Sequence, residues 1–338
     1  SCVFNKTSPT GAQITITLHV DDLFVTSTEK ALFDDLLLLL TSTYKGCRTQ
    51  YGPVIGYLGM TFDFSVVDEC SVTMKGFIKS LCASCGVTGS AATPAAANLF
   101  EVRSPDTAGN RLATVPEAKL FHSVTAGCLY AGKRCYPEIL TPVNMCSTRV
   151  TVTDLDDLKK LQRIMRYLLS AGDRGIRLRA GDSREVSIYV DAAYGVHVNG
   201  KSHSGSAVTF GDHGLVHAKS TQQKSVTKSS TEAELVAVSD AANQGFHLRH
   251  FVLAQGYDIG PLIIYQDNMS TMALIAAGCS TNERTRHIAI RHFWLKERVE
   301  LKEAKVVHKM SKLLFANLLT KPVQGPQFVN ERFGLTCW

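Results

Sequence analysis

Residues 14–26, Ile-Thr-Ile-Thr-Leu-His-Val-Asp-Asp-Leu-Phe-Val-Thr, are a largely apolar run rich in β-branched residues, which predicts a β-strand. Asp21 and Asp22 interrupt its middle. Neighbouring side chains of a strand face opposite ways, so one carboxylate would point to each side. A buried carboxylate without a partner is costly, so the pair calls for a reason. Between Glu29 and Thr43, Leu32, Leu36 and Leu40 share one face of a predicted helix. Residues 56–66 (GYLGMTFDFSV) alternate and predict a strand, as do residues 70–74 (CSVTM), with Asp68 and Glu69 in the turn between. Lys75–Cys85 predicts a short helix that stops near Gly86.

Residues 88–116 are rich in Ala, Thr, Ser and Pro and predict a linker lying across a surface. Two helices follow, Pro116–Gly132 and Asp154–Ala171; the second repeats Leu158, Leu161, Ile164, Met165 and Leu168 at helical spacing. Near Arg184 a new pattern starts. Residues 186–191 (VSIYVD) predict a strand ending on Asp191, and residues 205–220 a hairpin turning at Gly211–Gly214. A helix is predicted from Ser229, an N-cap with Glu232 three residues on, to Gly245. Residues 262–268 (LIIYQDN) predict a buried strand ending on Asp267. A short helix (270–278), a longer helix (291–303), a strand (304–310) and a last helix (311–320) complete the series. The second half thus runs three strands, helix, strand, two helices, strand, helix, with no internal repeat.

The chain of 338 residues is long enough for about two domains. Its hydrophobic share of 45% supports ordinary cores, and its net charge of +6 is compatible with a polyanionic partner. No apolar run reaches the ~18 residues of a membrane span, because Leu36–Leu40 is flanked by Asp34-Asp35 and Thr41. No secretory signal pattern is visible at the start. Of the scattered cysteines only Cys82 and Cys85 form a C-x-x-C pair, without a second pair at zinc spacing. Reduced structural cysteines and a soluble intracellular setting are expected. His197, His203, His213 and His217 are expected on exposed turns or strands.

Asp191 and Asp267 each terminate an apolar strand, where a carboxylate often serves only as a turn or helix cap. Glu232 is accounted for as the capping-box partner of Ser229. Glu234 is not, since Leu235, Val238, Ala241 and Ala242 make a buried stripe around it. Two strand ends and a first helical turn could bring Asp191, Glu234 and Asp267 to one sheet edge. Such a cluster repels itself unless a cation sits in it, and hard divalent ions prefer oxygen ligands. Paired Mg²⁺ ions bridged by carboxylates suit phosphodiester chemistry.

Several motifs in order, SSTEAELVAVSDA, YQDNMSTMAL, NERTRHIAIRHFWLKE and FANLLTKPV, resemble the ribonuclease H domain of copia-type retrotransposon Pol polyproteins. Upstream, TLHVDDLFVTS resembles the catalytic hairpin of the reverse transcriptase palm in the same family, usually Tyr-Val-Asp-Asp, with His19 in place of Tyr. The resemblance implies an α/β (α+β) chain: a ribonuclease H-like mixed five-stranded sheet with helices, preceded by a partial reverse transcriptase palm and connection segment. The implied boundaries are 1–87 partial palm and thumb, 88–116 linker, 117–181 helical connection, 182–323 ribonuclease H-like domain and 324–338 C-terminal tail. By the resemblance, catalytic positions are Asp191, Glu234, Asp267 and Asn317. Asp191, Glu234 and Asp267 would ligate two Mg²⁺ (or Mn²⁺) ions. Asn317 stands where the family usually has Asp, and Ala289 where many relatives carry an acid. Lys219, Lys224, Lys228, Arg286 and Arg291 are candidates for contacts with nucleic acid, with Phe293 and Trp294 either as stacking groups or, more simply, as the apolar side of an amphipathic helix.

Asp21 and Asp22 would be the remnant of a polymerase metal site, exposed on a hairpin. The third acid that site needs has no room in the twenty residues before Asp21, so no DNA synthesis is expected from the chain alone. It reads as the C-terminal part of a Pol protein or as a decayed copy. The implied activity is hydrolysis of the RNA strand of an RNA–DNA hybrid; the alternative is a non-catalytic remnant that binds nucleic acid or another Pol subunit. No membrane partner is implied. The implied setting is a cytoplasmic virus-like particle, or the nucleus.

Overall fold

A computed structural model describes the chain except residues 1, 45, 180, 182, 212, 213 and 279–285; the side chains of 286–292 are likewise not described. The first strand-like run is a hairpin and not a single strand. β1 (Val3–Thr7), β2 (Gln13–His19) and β3 (Asp22–Ser27) form an antiparallel sheet in that order. The chain reverses between β2 and β3, where Val20 takes a φ of 54°. After α1 (Lys30–Thr43), the second such run also folds back, into β4 (Val54–Tyr57) and β5 (Met60–Asp63). Leu58 and Gly59, with φ of 50° and 72°, make that turn. A strand-like composition continues on both sides of a tight turn, so the pattern alone does not reveal the reversal.

β6 (Glu69–Thr73) and α2 (Lys75–Ser84) come next. The Ala-rich segment is pinned rather than loose: Arg163 and Lys160 donate to the carbonyls of Thr93 and Glu101, and Ala95 and Leu99 are buried. α3 (Val115–Gly132), α4 (Leu140–Ser147) and α5 (Leu155–Ala171) pack Phe121, Ile139, Val143, Ile164 and Leu168 into a core. α4 has no polar face to betray it, since six of its eight residues are buried. β7 (Ile176–Arg179) then returns to pair with β6, closing a four-stranded sheet β4-β5-β6-β7.

The second half holds the expected mixed five-stranded sheet, order β10-β9-β8-β11-β12. Its strands are β8 (Val186–Ala193), β9 (His203–Phe210), β10 (Leu215–Gln222), β11 (Leu262–Gln266) and β12 (Ala304–His308). β8, β9 and β10 are antiparallel, whereas β8, β11 and β12 are parallel, so the sheet is mixed. α6 (Ser230–Ala254) covers one face and buries Leu235, Val238, Ala241 and Ala242 against Ile188, Val190 and Ile264. It runs straight through Gly245, which sequence reading takes as its end. A Cβ at residue 245 would stand 2.7 Å from Leu262 Cδ1 and 2.9 Å from Ile188 Cγ2, so Gly245 lets helix and sheet close together. The helix stops before Gly256, whose φ is 86°.

α7 (Met269–Ala277) and α8 (Arg286–Glu300) follow. Residues expected to form one last helix make two 3₁₀ turns, Ser311–Leu313 and Phe315–Leu319. The expected tail is helix α9 (Gly325–Thr336), which buries Phe328 and Leu335 in the first core. Among the described residues, no helix is long and apolar enough to cross a membrane.

Candidate metal centre

β8 and β11 run parallel with Tyr189 opposite Tyr265. Asp191 and Asp267 each lie two residues beyond their tyrosine, which puts both carboxylates on one side of the sheet. Glu234, in the second turn of α6, reaches back to the same place. Its Oε1 accepts from the backbone N–H of Ala192 at 3.1 Å and its Oε2 from Nε2 of Gln266 at 3.2 Å. One oxygen from each of Asp191, Glu234 and Asp267 lies within 4.8 Å of the others, the only such gathering of His, Cys, Asp or Glu among the described residues. Asp191 and Glu234 are buried and Asp267 half-buried.

Burial, and then the neighbouring Asp191, push the Glu234 carboxyl up to about 8. Its two hydrogen bonds and Asp267 adjust the balance less. A buried glutamate whose proton is favoured by a neighbouring carboxylate belongs to a donor set suited to a hard divalent cation, which removes the repulsion. The three residues therefore fit such an ion.

Asn317 stands beside this group and not in it. It lies on the second 3₁₀ turn, where its Nδ2 donates to Ser311 O at 2.8 Å. Its Oδ1 accepts from Lys321 Nζ at 2.9 Å. Lys321 Nζ also lies 3.1 Å from each oxygen of Asp191, and Thr320 Oγ1 donates to Asp191 Oδ2. Gly205, paired with Asp191 across β8 and β9, permits this approach. A Cβ there would meet Leu319 Cβ and Thr320 Cγ2 at 2.7 Å.

Sequence reading missed Gln266, Thr320, Lys321 and Glu331. Gln266 is fully buried and accepts the N–H groups of Asp267 and Asn268 on Oε1, tying the end of β11 to Glu234. Glu331 of α9 is buried, bonded to Gln327 through Oε1, with Oε2 lacking a hydrogen-bond partner. Burial raises its carboxyl, and Asn317, Lys321 and Asp191 are the neighbours that act on it. A signal existed for Lys321, which falls in the quoted FANLLTKPV motif; none existed for Glu331.

Lys219 on β10, and Lys224 and Lys228 ahead of α6, are exposed. Glu232 receives the N–H of Lys228 at 2.8 Å and gives its own N–H to Ser229 Oγ, so its capping role holds, one residue earlier than the box predicts. The side chains of Arg286, Ala289 and Arg291, and all of His213, lie outside the described residues. Trp294 packs on Phe246 with ring centroids 5.7 Å apart, whereas Phe293 is exposed. Asp21 and Asp22 are exposed where β2 turns into β3, and among the described residues no third acid joins them in a metal-sized group.

Three of the histidines depart from expectation, His217 on β10 being half-buried. His197 and His203 are buried, their Nε2 and Nδ1 2.9 Å apart. His203 Nε2 meets Ser220 Oγ at 2.7 Å, and Ser220 donates on to Thr141 of α4. Burial pushes the two down to about 4 and about 3, so both are neutral. Their place is a polar seam between the sheet and α4, which alternation in β9 could not distinguish from an exposed face. Cys82 on α2 and Cys85, just past its end, are free thiols, and burial pushes Cys82 up to about 11.

No protein-family model matches the chain. The retrovirus-related Pol polyprotein from transposon TNT 1-94 of Nicotiana tabacum is 26% identical over 340 aligned positions, covering 97% of this chain and 24% of that protein. The Pol polyprotein from transposon RE1 of Arabidopsis thaliana is 28% identical over 203 positions, 59% of this chain and 14% of that protein. The chain thus spans about a quarter or less of these relatives. Among solved structures, the foamy viral protease-reverse transcriptase in complex with RNA/DNA hybrid aligns with 88% of this chain and 36% of its own, at 14% identity and a TM-score of 0.51, a likeness of fold. Over nearly its whole length the chain is similar to the retrovirus-related Pol polyprotein of a plant transposon, and over more than half of it to a second.

Proposed function

We propose that residues 182–323 are a ribonuclease H-type endonuclease domain that hydrolyses the RNA strand of RNA–DNA hybrids with two Mg²⁺ or Mn²⁺ ions. The observation that carries this reading is the convergence of Asp191, Glu234 and Asp267 within 4.8 Å. Asp191, Glu234 and Asp267 would hold the metal, with Asn317 at the margin through Lys321. When bound, the ions would activate water and stabilise the leaving oxygen of a phosphodiester. Gln266 orients Glu234, and Glu234 keeps a proton until a cation takes its place. Lys219, Lys224 and Lys228, exposed, together with Arg286 and Arg291, would meet backbone phosphates, a contact that weakens with salt. The RNA/DNA hybrid in the complex of the structurally similar viral enzyme supports this choice of substrate.

Cleavage of a labelled hybrid in Mg²⁺, set against Asp191→Asn, tests the reading. RNA fragments from wild type alone are expected. Equal cleavage by both proteins would sink it. A second reading, a remnant that binds hybrid or a Pol subunit without cutting, is favoured by the neutral Asn317 and by the hold of Lys321 on Asp191. Silence of wild type with intact hybrid binding would select it.

Residues 1–87 would be part of a reverse transcriptase palm and thumb, 88–116 a linker and 117–181 a helical connection. Asp21 and Asp22, without a third acid beside them, should not support primer extension by this chain on an RNA template; template-dependent product above a no-enzyme control would contradict this.

A further inference from the structure

Asp191 is 2% exposed, yet both its oxygens are engaged. Thr320 Oγ1 donates to Oδ2, and Lys321 Nζ lies 3.1 Å from each oxygen. The same ammonium is 2.9 Å from Asn317 Oδ1. All these groups come from the stretch 317–321, pressed onto the sheet over Gly205. The buried Glu331, with its open Oε2, adds a carboxyl on the side of Asn317 and Lys321. Lys321 is therefore surrounded by oxygen donors, as a bound cation would be. Its side chain is 46% exposed, so it can swing into water without disturbing the core.

We infer that Lys321 is the built-in counter-ion of the candidate metal centre: its ammonium neutralises Asp191 in the metal-free protein and must withdraw before a second divalent ion can sit between Asp191 and residue 317. This rests on the proposed metal-dependent reading and adds an order of events to it. The first ion would be held by Glu234 and Asp267 together with Asp191, on the side of the cluster away from Asn317. The second competes with a tethered cation whose local concentration is high and fixed. Neutral Asn317 makes that competition harder, because the amide offers the incoming ion a dipole where a carboxylate would offer a charge.

The test is calorimetric titration of the full chain with Mn²⁺ alone, alongside thermal melts. Wild type and Lys321→Arg should bind one ion, with a second at least about 10-fold weaker; Lys321→Met should tighten the second by about 10-fold or more, the scale of effect of groups around metal ligands. Lys321→Met should also melt lower than wild type without metal and recover with Mn²⁺. A second ion bound no more tightly by Lys321→Met would overturn the inference. If Lys321→Met fails to fold, Lys321→Gln replaces it. If neither neutral variant folds even with Mn²⁺, Lys321 is a structural residue and the inference falls. If Asp191→Asn binds the first ion as wild type does, the metal-dependent reading itself fails, and this one with it.

Discussion

The side-chain amide of Gln266 is shared between two parts of the centre: Nε2 donates to Glu234 Oε2, while Oε1 takes the N–H groups of Asp267 and Asn268. One buried residue thus fixes a helical acid relative to the end of the strand that carries another. Gln266→Leu keeps the bulk and removes every one of these bonds. Leaving buried groups unpaired costs about 1–3 kcal/mol, and loss of an orienting neighbour typically costs about 10–100-fold in metal affinity. Denaturant melts and Mn²⁺ calorimetry should show both losses. A variant that binds Mn²⁺ like wild type would mean that Glu234 needs no such support.

The raised Glu234 carboxyl gives a pH dependence with a definite sign. Folded, it titrates at about 8; unfolded, near its ordinary 4.5. Between these values the folded chain holds a proton that the unfolded chain has released, so rising pH costs stability across that window. Below it the cost vanishes, and above it the cost is complete. Metal-free melts from pH 5 to 8.5 should therefore show wild type losing ground to Glu234→Gln as pH rises. Metal affinity should increase over the same window, because the ion displaces that proton. A constant difference between the two proteins would contradict the assignment.

Gly245 sets two effects against each other. In an exposed helix, Gly→Ala gains about 1 kcal/mol. Here the new methyl would press on Leu262 and Ile188. Overpacking of a core costs about 1–3 kcal/mol, so Gly245→Ala should destabilise on balance, read as a lower midpoint in urea. A stabilised variant would mean that α6 can lift off the sheet freely.

Asn317→Asp should not be structurally silent. The amide Nδ2 donates to Ser311 O. A carboxylate cannot, and it would also face the buried Glu331. Without metal the variant should lose about 1–3 kcal/mol, and with Mn²⁺ most of this should return as the added charge is neutralised. Chemical denaturation with chelator and with Mn²⁺ separates the two. Unchanged stability in chelator would show that the 3₁₀ turn does not depend on that bond.

The three central acids were legible because each sits at a boundary that sequence marks well: Asp191 and Asp267 at the ends of apolar strands, Glu234 just inside a capped helix. The five strands were legible as apolar runs, and their assembly into one mixed sheet was implied by the family resemblance. Gln266, Thr320 and Glu331 were not legible, since an amide in a strand end, a hydroxyl in a turn and an acid in a helix carry no periodic signal; their meaning arises only when distant segments meet. α9 was overlooked because Gly325, Pro326, Asn330 and Gly334 read as coil, while Phe328 and Leu335 find their burial against α3–α5. The helix through Gly245 shows tertiary contact overriding a local stop signal. The turn at Leu58 and Gly59 was hidden because only its second residue is a glycine; Leu58 takes a positive φ that sequence marks when Gly or Asn carries it.

The pairing of β6 with β7 has a consequence for synthesis. About a hundred residues separate the two strands along the chain. At about 5–20 residues per second on the ribosome, the far side of β6 waits roughly 5–20 s for its neighbour. An unpaired strand edge is a template for another chain. During that interval Glu69, later the partner of Arg177 and Arg179 across the sheet, stands on the open edge as an uncompensated charge. It would discourage a second nascent copy from adding its own strand until β7 arrives.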